Sequence, residues 1–143
     1  MKFLRYQLPA ILFALAIFIQ SSIHGLAPPD LGISLEDKLF HAVVYGFFGF
    51  TLTRAFYYSN NIRMRRYAIL LGIIVGILYA VSDEIHQYFV PGRYAEAGDV
   101  VADAIGIMFA QIIFLRKKAF EKREANRRLP ENEQYRTDND DNC

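Results

Sequence analysis

The chain has 143 residues, of which 53% are hydrophobic and 15% aromatic, and this composition is too apolar for an ordinary soluble domain of such length. The formal net charge of +1 hides a segregation, because residues 116–128 hold seven Lys and Arg against two Glu, whereas the residues after them hold five acids against one Arg. The single cysteine, Cys143, excludes an intrachain disulfide and a cysteine-based metal site.

The first apolar stretch, residues 8–27, is long enough to cross a bilayer, since about 20 helical residues span a hydrocarbon core of about 30 Å. Lys2 and Arg5 precede it, which is also the pattern of a secretory signal peptide. Cleavage after its small residues would leave Pro28 as the first mature residue, and the three remaining spans would then place the C-terminus oddly. We therefore expect a retained membrane anchor.

Three further apolar stretches complete the expected fold class, an all-α bundle of four transmembrane helices. Two of these stretches are short, and we expect neighbouring polar residues at the membrane interface to extend them. The resulting spans cover about residues 36–58, 67–88 and 98–116. Residues 1–118 then form the membrane domain, and residues 119–143 form a tail that is basic at first and acidic later.

Basic residues indicate the orientation of the bundle. Fourteen of the 16 Lys and Arg lie in the N-terminus, the second connection and the tail, whereas the first and third connections hold only Lys38 and Arg93. Since basic residues near span ends mark the cytoplasmic side, both chain ends are expected in the cytoplasm.

Residues 116–128 suit an anionic inner leaflet and directly abut a span, so no nucleic-acid partner is expected. Residues 129–143 are polar and are expected to be disordered.

Small residues recur every four positions in three of the spans. Such residues allow helix backbones to approach closely within a bilayer, where spans associate by packing and by interhelical hydrogen bonds. The alternative is that glycine and alanine are simply frequent in membrane helices. The residues concerned are Ala42 and Gly46 in the second span, Gly72, Gly76 and Ala80 in the third, and Ala102, Gly106 and Ala110 in the fourth.

Charged and polar side chains collect at the non-cytoplasmic ends of the last three spans. A turn is predicted at Val90-Pro91-Gly92-Arg93, because Pro fixes φ and Gly accepts a positive φ. This turn would bring the acidic end of the third span beside the acidic start of the fourth. We call the following set the polar cluster: Asp37, Lys38, His41, Tyr45, Asp83, Glu84, His86, Gln87, Arg93, Asp99 and Asp103.

Ionisable side chains inside a span are costly, so they usually face the bundle interior, pair with one another and often serve function. Asp103 lies about 6 Å deeper than Asp99 by helical rise, and His41 lies one turn inside its span. With Asp83, these two residues are the predicted catalytic side chains if the protein is an enzyme. The other members of the polar cluster are predicted to contact a substrate or ligand.

Several of these residues also have simple structural interpretations. Asp37 and Asp99 suit helix N-termini, where acidic side chains interact favourably with the helix dipole. Glu84 and Glu96 fit solvated charges at the interface, and Arg93 can neutralise nearby acids whether or not it binds a ligand. A structural subunit whose polar side chains only join helices therefore stays open as an alternative.

Three blocks of residues in this order resemble the VanZ-like family, named for a glycopeptide-resistance membrane protein. The resemblance covers about residues 17–112 and implies a small integral protein of the bacterial cytoplasmic (inner) membrane. The founder of the family is associated with teicoplanin resistance. Asp103 stands where the family usually has Asn, which adds a possible negative charge. The blocks are Asp37-Lys38-Leu39-Phe40-His41 with Tyr45 and Gly49, then Ser82-Asp83-Glu84-Ile85-His86-Gln87 with Phe89, Pro91, Gly92 and Arg93, and finally Asp99 with Gly106.

Two classes of function fit these observations. The first is a binding or resistance protein whose outward-facing pocket holds an envelope lipid headgroup or an amphiphilic antibiotic, with Arg93 engaging a phosphate or carboxylate. The second is a membrane-embedded hydrolase or transferase that uses carboxylate and histidine acid–base chemistry.

The expected partners are membrane lipids and a lipid-linked cell-wall intermediate or glycopeptide. No cofactor or metal is expected, because Asp83, His86, His41 and Asp103 match no established metal spacing. Oligomeric state stays open.

Overall fold

The structure is a computed structural model that describes residues 3–23, 36–93 and 95–128. All regular secondary structure in these residues is helical, which confirms the all-α fold class. Helix α1 follows directly on a π-helical turn, Phe3–Gln7. The α-helices are α1 (Leu8–Ser22), α2 (Glu36–Tyr57), α3 (Ile62–Arg66), α4 (Ala68–Tyr88) and α5 (Ala97–Arg127).

In the part of the chain that the structure describes, four helical stretches are long and apolar enough to cross a membrane, namely Phe3–Ser22, α2, α4 and α5. The chain is therefore a multi-pass membrane protein. Helix α5 continues beyond its apolar part through the basic segment to Arg127, because Lys, Arg and Glu are good helix formers. The expected disorder of residues 129–143 lies outside the described residues.

The chain divides into two compact units, Met1–Gln111 and Ile112–Cys143. The first unit contains α1 to α4 and the start of α5, and every residue of the polar cluster belongs to it. In the second unit, helix α5 carries two ion pairs, and the partners in each pair are three residues apart. Lys118 contacts Glu121 at 2.6 Å, and Arg127 contacts Glu124 at 3.6 Å.

Close backbone contacts hold α2 against both α4 and α5 in the first unit. A Cβ atom at Gly106 of α5 would overlap the carbonyl oxygen of Ala42, and one at Gly72 of α4 would overlap the hydroxyl of Thr53. Thr53 in turn donates a hydrogen bond to Gln111 at 2.7 Å, and both side chains are buried. The prediction of close packing at small residues is therefore confirmed.

The connection from α4 to α5 contains the predicted turn. Gly92 has a φ of 78°, and the backbone N–H of Arg93 donates to the carbonyl of Val90 at 3.2 Å. With Pro91 preceding the glycine, these features describe a type II turn, in which the third residue needs a positive φ. The turn prediction is confirmed, and it explains how the end of α4 comes to face the start of α5.

Candidate functional site

One face of α2 begins the polar cluster. Asp37, His41 and Tyr45 are four residues apart, so they lie along one side of the helix. Asp37 is exposed at the helix start, His41 is half-buried, and Tyr45 is buried. The imidazole and phenol rings are almost parallel, at an interplanar angle of 5° with centroids 6.4 Å apart. This face carries polar groups from the membrane interface into the bundle.

His41 contacts α5 directly. Its Nδ1 atom lies 3.1 Å from Oδ1 of Asp103, whose side chain is fully buried. Burial of a carboxylate is costly unless hydrogen bonds or opposite charge compensate it. Asp103 therefore depends on His41, which joins the second span to the fourth.

Tyr45 contacts α4 in the same way. Its hydroxyl donates to Oδ2 of Asp83 at 3.0 Å, and the side-chain amide of Gln87 donates to the same oxygen at 3.1 Å. Because Tyr45 stacks beside His41, these bonds connect Asp83, His41 and Asp103 in one group of side chains. The structure thus brings together all three residues that the sequence indicates as catalytic candidates, although their role stays a prediction.

Glu84 lies beneath the connection between α4 and α5. Its carboxylate accepts a hydrogen bond from the backbone N–H of Glu96 at 2.9 Å, and only 7% of the residue is exposed. The interpretation of Glu84 as a solvated interface charge is wrong, because the turn folds the start of α5 over this side chain. Glu96 itself is exposed, in agreement with that interpretation.

Lys38 joins two acids near the start of α5. Its Nζ atom lies 2.9 Å from Oε2 of Glu96 and 3.3 Å from Oδ1 of Asp99. The hydrogen bond and positive charge of Lys38 lower the pKa of the Glu96 carboxyl, so Glu96 stays ionised at neutral pH. The sequence predicts that Asp99 lies at a helix N-terminus. Asp99 is buried in the first turn of α5.

His86 faces a different neighbour. Its Nε2 atom lies 3.0 Å from the hydroxyl of Ser22, and its ring stacks on Phe18 with centroids 4.9 Å apart. The structure therefore places His86 against α1, and neither of these two contacts involves His41. Nothing in the sequence around Ser22 pointed to this contact. Arg93 is half-buried just after the turn.

Two buried carboxylate oxygens have no hydrogen-bond partner among the residues that the structure describes. They are Oδ2 of Asp103 and Oε1 of Glu84. A buried acceptor without a donor costs about 1–3 kcal/mol, and more for a charged group. A bound ligand that supplies a donor or a positive charge would remove this cost.

Three side chains from two helices also form a possible set of metal ligands. Ligand atoms of Asp37, His41 and Asp99 all lie within 4.8 Å of one another. Sequence reasoning missed this set, because only the spacing of Asp37 and His41 is visible along the chain, and Asp99 joins them through the fold.

Most of this chain is similar in sequence to known proteins. A family model described as VanZ/LLP1 matches residues 6–118. An uncharacterised protein of the fission yeast Schizosaccharomyces pombe is 32% identical over 114 residues, which cover 76% of this chain and 67% of the yeast protein. No solved structure matches the chain.

Proposed function

Because the chain belongs to the VanZ/LLP1 family, we propose that it binds the polar headgroup of an envelope lipid, or of an amphiphilic antibiotic, in the polar cluster. The proposed location is the cytoplasmic membrane of a bacterium, with the cluster at the outer face and both chain ends inside. The distribution of basic residues supports this orientation.

The observation that carries the proposal is the convergence of buried acidic side chains where three membrane helices end. Asp83 and Glu84 come from α4, Asp99 and Asp103 come from α5, and α2 contributes His41 beside them. Burying four carboxyl groups within apolar helices opposes folding. Such a cost is typical of a functional site and supports a role for these residues beyond joining helices.

The chemistry of the cluster indicates which headgroups it suits. Carboxylates such as Asp83 and Asp103 accept hydrogen bonds from hydroxyl or ammonium groups, whereas the guanidinium of Arg93 matches a phosphate or carboxylate. A lipid headgroup that combines a phosphate with a hydroxyl or an ammonium group satisfies both requirements. The fission-yeast relative favours such a lipid over a glycopeptide, because lipids of this chemistry occur in bacterial and eukaryotic membranes alike.

A second function, hydrolysis or group transfer on a lipid-linked headgroup, is supported by the contact of His41 with Asp103 at 3.1 Å. A carboxylate that orients an imidazole is a common arrangement for a general base. Asp83 would then act as the second acid or base. Under this alternative, Asp83→Asn abolishes turnover of a lipid-linked substrate while the protein still folds and inserts, whereas graded losses across many substitutions favour binding.

Native mass spectrometry of the purified protein tests the binding proposal. The wild-type protein in detergent is incubated with phosphatidylethanolamine or phosphatidylglycerol and is then released from the detergent in the mass spectrometer. The fraction of protein that retains a phospholipid is compared between the wild type and Arg93→Ala. Arg63→Ala, in the exposed helix α3 near the other membrane face, is the matched control. We expect Arg93→Ala to lose most of the bound phospholipid and Arg63→Ala to retain it. Equal retention by all three proteins would contradict the proposal.

A further inference from the structure

We propose that Asp37, His41 and Asp99 bind one divalent transition-metal ion of the Mn²⁺ or Zn²⁺ kind at the start of α2 and α5. Asp103 acts as a positioning residue, since it contacts His41 and does not belong to the ligand set. This site shares Asp37, His41 and Asp99 with the polar cluster, but it needs no lipid, because only side chains of the chain itself bind the ion.

The separation of the ligand atoms fits a single ion. Zinc lies about 2.0–2.2 Å from imidazole nitrogen and carboxylate oxygen, so two ligands of one ion are at most about 4.4 Å apart. In the structure one ring nitrogen of His41 and one carboxylate oxygen of each aspartate lie within 4.8 Å of one another. Asp37 is exposed at the helix start, so a small rotation of its side chain closes the difference.

Asp103 prepares His41 for this role. A histidine that binds a metal through one ring nitrogen almost always donates the other N–H to a carboxylate or carbonyl, which fixes the tautomer and the ring orientation. Oδ1 of Asp103 lies 3.1 Å from Nδ1 of His41. With the proton on Nδ1, the lone pair of Nε2 is available to a metal.

The unpartnered oxygen of Asp103 supplies independent support for a cation. Asp103 contacts the ligand set through Oδ1, which lies 3.1 Å from Nδ1 of His41, and the residue is fully buried. Its Oδ2 atom has no hydrogen-bond partner among the described residues. A nearby metal cation stabilises the carboxylate without requiring a further hydrogen bond.

Lys38 does not replace the metal. Its ammonium group reaches Oδ1 of Asp99 at 3.3 Å, but the shorter contact, 2.9 Å, is with the exposed Glu96. One ammonium group shared between two carboxylates compensates the negative charge of Asp99 only in part.

The ligand types select the class of metal. Imidazole suits Zn²⁺ and other transition metals, and carboxylates suit Mg²⁺, Ca²⁺ and Mn²⁺, so one histidine with two carboxylates favours Mn²⁺ and Zn²⁺. Three protein ligands also leave a coordination position open, as in catalytic zinc sites. Mg²⁺, which is held by oxygen ligands and retains several waters, is expected to bind weakly.

Metal binding to the purified protein tests the proposal without any lipid ligand. The full-length chain, with its purification tag removed, is stripped with a chelator, and binding of Zn²⁺ and Mn²⁺ is measured by calorimetry and elemental analysis. We expect about one ion per chain in the wild-type protein. His41→Gln and Asp99→Asn should bind about tenfold or more weakly, and Asp103→Asn should weaken binding to a smaller extent.

His86→Gln is the matched control, because His86 lies at the same membrane face but contacts Ser22. Its metal binding should equal that of the wild-type protein. Asp37→Asn provides a second ligand variant at an exposed position if His41→Gln fails to fold. Metal content far below one ion per chain in the wild type, or equal weakening by His86→Gln and His41→Gln, would overturn the site. Neither result would bear on phospholipid binding, which is measured separately.

Discussion

At the residue scale, one carboxylate oxygen of Asp83 links helix α4 to helix α2. Oδ2 of Asp83 accepts hydrogen bonds from the hydroxyl of Tyr45 and from the amide of Gln87. Gln87 lies on the same helix as Asp83. Of these two hydrogen bonds, the one from Tyr45 therefore connects α4 to α2. The tyrosine is therefore both a packed ring and the donor that makes burial of Asp83 tolerable.

Tyr45→Phe should destabilise the protein, because it removes the donor and keeps the ring. Loss of one partner of a buried hydrogen bond costs about 1–3 kcal/mol. The change is measured as a lower midpoint of thermal unfolding in detergent micelles. Tyr88→Phe is the control, since Tyr88 is 74% exposed and its melting should match the wild type. Identical melting of Tyr45→Phe and the wild type would contradict the assigned hydrogen bond.

At the scale of helices, the position of α2 depends on residues without bulky side chains in its neighbours. Gly106 of α5 lies against the backbone of Ala42, and Gly72 of α4 lies against Thr53. These contacts bring the polar face of α2 close enough for His41 to reach Asp103. The small residues of the spans and the polar cluster are thus parts of one arrangement.

Gly106→Ala should destabilise the bundle although alanine is the better helix former. The gain in helix propensity is about 1 kcal/mol. Overpacking against a backbone carbonyl that cannot rotate away costs about 1–3 kcal/mol, so the net change is a loss. The midpoint of unfolding in micelles measures it.

Gly98→Ala makes the same substitution in the same helix and serves as the control. A Cβ atom there would meet only the flexible end of the Lys38 side chain, 3.0 Å from Cε. We expect stability equal to or slightly above that of the wild type. Equal effects of the two substitutions would argue against close packing between α2 and α5.

The whole molecule is organised by the sign of its charges. Along the chain, basic residues concentrate before the first span, between the second and third spans and after the fourth, whereas the buried acids gather where α4 ends and α5 begins. Positive charge is retained on the cytoplasmic side, so the polar cluster should face outward. An outward site has access to ligands of the outer leaflet, on which the proposed function depends.

Cys143 reports this orientation, because it is the only thiol in the chain. A membrane-impermeant thiol reagent should label it in inverted membrane vesicles and leave it unmodified in intact cells. Labelling after detergent permeabilisation confirms that the thiol is reactive. Labelling in intact cells would reverse the orientation and place the polar cluster at the cytoplasmic face.

The sequence predicts much of this fold but only part of the site. Apolar runs of bilayer length and the Pro91-Gly92 pair identify the helices and the turn, because both signals are local. The burial of Glu84 and the contact of His86 with Ser22 depend on how helices rotate about their axes. Spacing along one helix does not determine that rotation, so these contacts appear only in the structure.

The meeting of α2 and α5 side chains is tested most directly by a double-mutant cycle between His41→Gln and Asp103→Asn. The free energy of unfolding is measured for both single variants and for the double variant in micelles. We predict a coupling energy of about 0.5–3 kcal/mol, as for residues in direct contact. The matched cycle of His86→Gln with Asp103→Asn should be additive. Additive losses for His41 and Asp103 would contradict a shared polar site.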